Sequence, residues 1–143
     1  MKVVILGCGR VGATLAAQMD NAGHTVTVID SSSDAFQRLP PKFSGEKIVG
    51  NGVDEEVLRR AGLEDADAFA AVTNGDNRNI MASQIAKEIF NTKKVVCRIY
   101  DPLREQTFKG LGLETICPTT IISGMVADAL TGNVSTTPTT KTK

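Results

Sequence analysis

Residues 2–30 leave this chain little freedom in how it folds. Lys2-Val3-Val4-Ile5-Leu6 reads as a buried strand, and Gly7-Cys8-Gly9-Arg10-Val11-Gly12 as a glycine turn opening an apolar helix. Val26-Thr27-Val28-Ile29-Asp30 reads as a second buried strand ending in a carboxylate. A Gly-x-Gly-x-x-Gly alone is weak, because glycine-rich turns are common. Here it follows a strand directly, opens a helix, and precedes an acid by a distance close to the spacing of about 20 residues expected of a dinucleotide fold. That context makes the signal strong.

The rest of the chain repeats the rhythm. The first helix runs from Arg10 to Ala22, with Val11, Leu15 and Met19 spaced to face the sheet and Gly23 as a left-handed cap. A short helix over Ser32–Leu39 stops at Pro40-Pro41. Lys47–Val49 is a third strand, and Asp54 caps a helix whose inner face is Val57, Leu58 and Ala61. Ala68–Val72, apolar throughout, reads as a strand buried on both faces. Asp76 caps the next helix, in which Ile80, Ser83, Ile85, Ala86 and Ile89 form an apolar side.

Lys94–Ile99, Pro102–Leu111 and Glu114–Ile116 then give strand, helix and short strand, and Pro118–Leu130 a last helix with a broad apolar face. Strands alternating with helices imply an α/β Rossmann fold over residues 1–130, a doubly wound parallel sheet of order 3-2-1-4-5-6. Residues 131–143, nearly half of them threonine, read as a flexible end or a linker cut short.

Sixteen basic and sixteen acidic residues cancel, so nothing draws the chain to nucleic acid or anionic lipid by bulk charge. No apolar run approaches the roughly 18 residues that span a bilayer, and a core strand follows Met1 at once, so the chain reads as soluble and without a signal peptide. Cys8, Cys97 and Cys117 lie in or beside apolar stretches and lack metal-ligand spacing, which points to reduced, buried thiols. His24 reads as a turn residue.

Ligands of doubly wound sheets bind beyond the carboxyl ends of the strands, where strand order reverses. Gly7 permits the tight turn, Gly9 lets the backbone approach a pyrophosphate, and Gly12 lets helix and strand pack closely. The amides of Arg10, Val11 and Gly12 open toward an anion. Arg10 either folds over the bound phosphates or is simply solvated. Asp30 either accepts from ribose hydroxyls, favouring NAD over NADP, or caps the helix near Ser32; Ser31 and Ser32 could supplement either role.

Asn51 and Gly52 stand at the height of an adenine edge, and Thr73 and Asn74 across the crevice near the phosphates. Asp76 and Asn79 act as caps or as contacts to a ligand or neighbour. Arg98 faces the crevice or an interface. No residue set for hydride transfer and no activated nucleophile is visible, so a bound nucleotide reads as sensed rather than consumed. The competing readings are the cofactor domain of an NAD-dependent oxidoreductase lacking its catalytic part, and an S-adenosylmethionine-binding methyltransferase, which Arg10 disfavours because that ligand carries no phosphate.

Gly7-Cys8-Gly9-Arg10-Val11-Gly12, Asp30, Gly50-Asn51-Gly52, Ala71-Val72-Thr73-Asn74 with Asp76-Asn77-Arg78-Asn79, and Arg98-Ile99-Tyr100-Asp101-Pro102 together resemble the nucleotide-binding lobe of the RCK (KTN) domain. Such lobes belong to regulatory subunits of Trk/Ktr potassium uptake systems and to potassium-channel gating rings. The resemblance implies binding of NAD(H), ATP, ADP or AMP. It implies a homodimer assembling into a larger ring beneath a membrane potassium transporter or channel subunit, at the inner face of the cell membrane. With the lobe opening at Met1, it implies a separate regulatory subunit whose smaller C-terminal lobe is absent.

The last helix resembles the family's crossover element, which makes its apolar face a dimer contact. Two positions depart from the family pattern. Asn51 stands where an aspartate is frequent, and Thr119 where Ktr-type relatives carry a glutamate that helps to hold metal and terminal phosphate.

Overall fold

The computed structural model describes residues 1–133, and the chain forms one six-stranded, wholly parallel sheet. Its strands are β1 (Lys2–Leu6), β2 (Thr25–Asp30), β3 (Glu46–Val49), β4 (Ala68–Ala71), β5 (Lys94–Arg98) and β6 (Glu114–Ile116). They lie in the order β3-β2-β1-β4-β5-β6, as the alternation of strands and helices implies. The helices are α1 (Arg10–Asn21), α2 (Glu55–Arg60), α3 (Asp76–Glu88), α4 (Pro102–Gly110) and α5 (Pro118–Thr131).

Period-two alternation along β1 builds both cores at once. Val3 and Ile5 pack with Val26, Val28, Ala13, Ala16 and Phe43 on the α1 face. Val4 and Leu6 pack with Phe69, Leu58, Leu63, Ala82 and Ala86 on the face of α2 and α3. Cys97, Ile99, Ile80 and Leu113 form a smaller cluster toward β6.

Several boundaries and faces differ from the sequence reading. α1 does not turn Val11 to the sheet; that side chain is 51% exposed, and Gly12, Ala13 and Ala16 are the buried positions. The helix crosses the end of β1 so closely that its rotation is set by what can lie against the Gly7 backbone, leaving Leu15 and Met19 half-buried at the margin. Residues 33–38 form a 3₁₀ helix rather than an α-helix. In β4 Phe69 and Ala71 are buried while Ala68 and Ala70 are half-buried, because the two cores cover the strand unequally. Ile89 falls beyond the end of α3 and is largely exposed.

Asp54 caps α2 as its position suggests, accepting from the Glu56 amide at 2.9 Å. Asp76 does not cap α3. Gly75 holds the cap position, and the Asp76 carboxylate reaches across to the loop after β5. His24 sits in the turn before β2, with Nδ1 3.0 Å from the amino terminus.

None of the residues of α5 is buried, and Ile122, Met125, Val126 and Leu130 leave an apolar face uncovered. Thr131 ends that helix and Gly132 follows it with φ +78°. Residues 134–143, the greater part of the threonine-rich stretch read as a tail or linker, lie outside the described residues. No described helix is long and apolar enough to cross a membrane.

Candidate functional site

β1 and β4 are neighbours whose outgoing connections pass to opposite faces of the sheet, so a crevice opens beyond their carboxyl ends. It forms a cleft of about 1300 Å³. Gly7, Gly9, Arg10 and Val11 line it from the turn after β1, Asp30 and Ser31 from the end of β2, and Asn51 and Gly52 from the turn after β3. Thr73 and Asn74 line it from the turn after β4, and Arg98 from the end of β5. Of the residues singled out from sequence as ligand contacts, Gly12, Asp76 and Asn79 are not on its surface.

Gly12 lies beneath the cleft for a steric reason. A Cβ there would penetrate the Gly7 carbonyl oxygen and lie 2.7 Å from its carbonyl carbon. Gly7 itself adopts φ +109°, a region L side chains rarely enter. Gly9 is the opposite case. Its φ of −78° suits any residue, and a Cβ would meet nothing within 4 Å. No fold requirement calls for glycine at position 9, so the space it leaves belongs to the cleft.

α1 carries no acid in its first turn and no side-chain cap. The amides of Arg10, Val11 and Gly12 have no intrahelical acceptor and stand at the positive end of the helix. Four arginines line the cleft (Arg10, Arg38, Arg78 and Arg98) against Asp30 and Asp34. A chain of zero net charge has thus gathered an excess of cations in one concavity, which suits an anionic ligand.

Asp30 ties the ends of β1 and β2 together. One carboxylate oxygen accepts from the Cys8 amide at 2.8 Å and the other from the Ser32 amide at 2.9 Å. The contact to Ser32 is the local role expected of this residue, and the one to Cys8 is added by the fold. The carboxylate braces the glycine turn and the following 3₁₀ segment, and each oxygen retains capacity for a hydroxyl donor. The Asn51 side-chain oxygen accepts from the Val53 amide at 3.1 Å, so its carboxamide shapes the turn after β3 and keeps its NH₂ for other partners.

Beside the cleft, at the ends of β4 and β5, lies a buried polar knot. Asn79, wholly buried, accepts from the Thr73 amide at 3.0 Å and from the Thr73 hydroxyl at 2.6 Å. Its NH₂ donates to the carbonyls of Thr73 and Arg98, both at 2.9 Å. Arg98 Nη2 donates to the Thr73 carbonyl at 2.7 Å, while Arg98 Nε is buried without a partner. Asp76 accepts from the amides of Tyr100 and Asp101 at 2.7 and 3.1 Å. Asn79 and Asp76 thus hold the ends of β4 and β5 in fixed relation, each acting on protein neighbours.

Arg38, Arg78 and Tyr100 also line the cleft and were not singled out as binding residues from the sequence. Arg78 and Tyr100 stand inside motifs already noted. Arg38 sits in an unremarkable short helix, and only the fold brings its Nη1 to 3.5 Å from the Cys8 carbonyl.

The three cysteines are free and buried. Burial raises the Cys8 thiol above its ordinary value, and the Asp30 carboxylate adds to the effect; burial likewise raises Cys97. Cys8 and Cys97 therefore stay protonated at neutral pH. Iodoacetamide at pH 7 is expected to leave the native protein unlabelled and to modify all three cysteines in denaturant, read by intact mass. A folded pKa above the unfolded one stabilises the native state below the unfolded value of 9.0, and that contribution fades as pH rises through the folded value. Urea midpoints are therefore expected to fall on the alkaline side of pH 9 and to fall less in a Cys97→Ala variant, measured against its own value at pH 7.

Fold and cleft together define a doubly wound Rossmann domain with an arginine-rich crevice at its switch point. The chain belongs to the TrkA-N domain family, whose profile matches residues 3–119. A Trk system potassium uptake protein TrkA of Streptomyces coelicolor is 48% identical over 116 residues, covering 81% of this chain and 52% of that protein. A TrkA homolog of Methanothermobacter thermautotrophicus is 33% identical over 132 residues, covering 92% and 61%. The chain thus spans about half the length of the Streptomyces relative.

Among solved structures, the GsuK RCK domain superposes with a TM-score of 0.78 at 20% identity, covering 92% of this chain and 28% of that one. The Shewanella denitrificans Kef CTD in its AMP-bound form gives 0.74 at 21%, covering 93% and 83%. At these identities the likeness is one of fold.

Proposed function

We propose that this chain is the nucleotide-binding lobe of a regulatory subunit that gates a membrane potassium transporter or channel. The observation that carries the ligand reading is the contrast between Gly12, which the fold requires, and Gly9, which it does not. Space kept open beside free helix-start amides and four arginines suits a pyrophosphate. Asp30 would take the ribose hydroxyls and repel a 2′-phosphate, favouring NAD(H), ATP, ADP or AMP over NADP. The potassium-transport reading draws on the curated relatives named Trk potassium uptake proteins, and the nucleotide on solved relatives described with AMP and with ADP.

The uncovered face of α5 suits a second copy of the chain, and dimers of this kind would build a ring on the cytoplasmic side of the transporter. The nucleotide is then a signal. The residues present bind and orient it: the Gly7–Gly12 turn and Arg10 at the phosphates, Asp30 at the ribose, Asn51 toward the base.

The test is a melting series with NADH, NAD, ATP, ADP and AMP. A ligand at about 100 times its Kd adds about 2.7 kcal/mol, which raises Tm by roughly 5–10 °C. Asp30→Ala is expected to abolish that shift, and NADP to give a smaller one than NAD. A chain whose Tm ignores all five ligands does not have this function.

A further inference from the structure

Tyr100 is the one described residue that lines both the switch-point cleft and the apolar groove along α5, where Pro118, Ile122, Val126 and Leu130 form the other wall. The Arg98 guanidinium lies over its ring, 4.7 Å from the centroid. Its main chain is pinned on both sides. The Tyr100 amide donates to Asp76 at 2.7 Å, and its carbonyl accepts from Cys117 Sγ at 3.6 Å. Cys117 immediately precedes α5, and Thr120 in the first turn of that helix donates its hydroxyl to the same sulfur at 3.4 Å.

Arg98 is under-used. A guanidinium offers five N–H donors in a fork. The protein engages one nitrogen, Nη2 on the Thr73 carbonyl, and leaves Nε buried without an acceptor. An oxyanion arriving beside Thr73 would take the Nη donors that the protein leaves free and neutralise the charge that attracts the Tyr100 ring. With its backbone held by Asp76 and Cys117, Tyr100 can respond only by moving its ring. That ring is part of the groove under α5.

Resting on the nucleotide-lobe reading above, we propose that Arg98 and Tyr100 form a relay through which the anionic end of the bound ligand sets the seating of α5. Ligands that share an adenosine but differ in phosphate length would then leave α5 differently disposed. Tyr100 acts in this as a positioning residue, through its ring face rather than its hydroxyl.

The test measures hydrogen–deuterium exchange of residues 118–131 in the full chain, alone and saturated with AMP or ATP, with affinities determined in parallel by calorimetry. In the wild type, ATP is expected to change exchange in this segment by about fivefold or more relative to AMP. Tyr100→Leu is expected to lose that difference when each ligand is held at saturation according to this variant's own measured affinity. Tyr100→Phe is expected to retain it, and Arg98→Lys, which keeps charge but not the planar fork, to lose it.

Tyr100→Met serves as a second ring-free variant should the leucine protein not fold. An ATP–AMP difference that survives without the ring overturns the relay and leaves the nucleotide reading intact. So does equal exchange with the two ligands in the wild type. Failure of both nucleotides to bind the wild type overturns the nucleotide reading and the relay with it.

Discussion

Gly12→Ala is expected to destabilise the protein by at least ~3 kcal/mol, lowering Tm by roughly 10 °C or more, or to leave it insoluble. The added methyl would occupy the space of the Gly7 carbonyl, and both groups are backbone-bound. No rotamer change relieves that clash; α1 would have to lift from β1, opening the core around Ala13, Ala16 and Val72. Gly9→Ala, three residues earlier in the same motif, is expected to melt with the wild type, since its methyl meets no protein atom and its backbone is ordinary. On the proposed placement of the phosphates it should nevertheless lose the nucleotide-induced rise in Tm, because the methyl would fill the open space beside the turn. Thermal melts with and without ADP separate the two glycines. A Gly9→Ala protein that still gained the full ligand shift would show that position 9 is not at the phosphate.

Asn79→Ala carries the second large effect. The side chain is wholly buried and makes four hydrogen bonds, two to Thr73 as acceptor and two as donor to the carbonyls of Thr73 and Arg98. Truncation leaves those partners buried without it and opens a small cavity, for an expected loss of about 2–4 kcal/mol in urea denaturation. Asn79→Asp keeps the acceptors, replaces two donors with a second carboxylate oxygen facing two carbonyls, and should be no better tolerated. Because the knot fixes Thr73 and Arg98 at the cleft, the alanine variant should also bind nucleotide more weakly at temperatures where it remains folded. A loss below 1 kcal/mol would mean that water replaces the amide without penalty.

Much of this was legible before any coordinates. The alternation of apolar strands with helical segments suffices for a parallel sheet, and right-handed crossovers with a glycine turn after the first strand leave little choice of order. The cleft residues from the glycine turn, β2 and the ends of β3 and β4 were readable because topology puts strand ends together whatever the side chains are. Arg98 was readable as an arginine where an apolar strand residue belongs. Helix rotation was not. The apolar period of α1 favours Val11, but close backbone approach outranks bulk, and the helix turns Gly12, Ala13 and Ala16 inward.

Asp76 shows the same limit from the polar side. An acid opening a helix is ordinarily a cap, and here the loop carrying Tyr100 and Asp101 presents two amides that claim it first. Arg38 has no local signal at all.

The sequence by itself determined the class of fold, the strand order and the place of the cleft, because periodicity, glycine sterics and crossover handedness act locally or by rule. Only the tertiary structure decided that α1 turns Gly12, Ala13 and Ala16 inward in place of Val11, that Asp30 braces the turn it faces, and that Tyr100 stands between cleft and α5. Those properties depend on distances between residues remote along the chain, which no local pattern encodes.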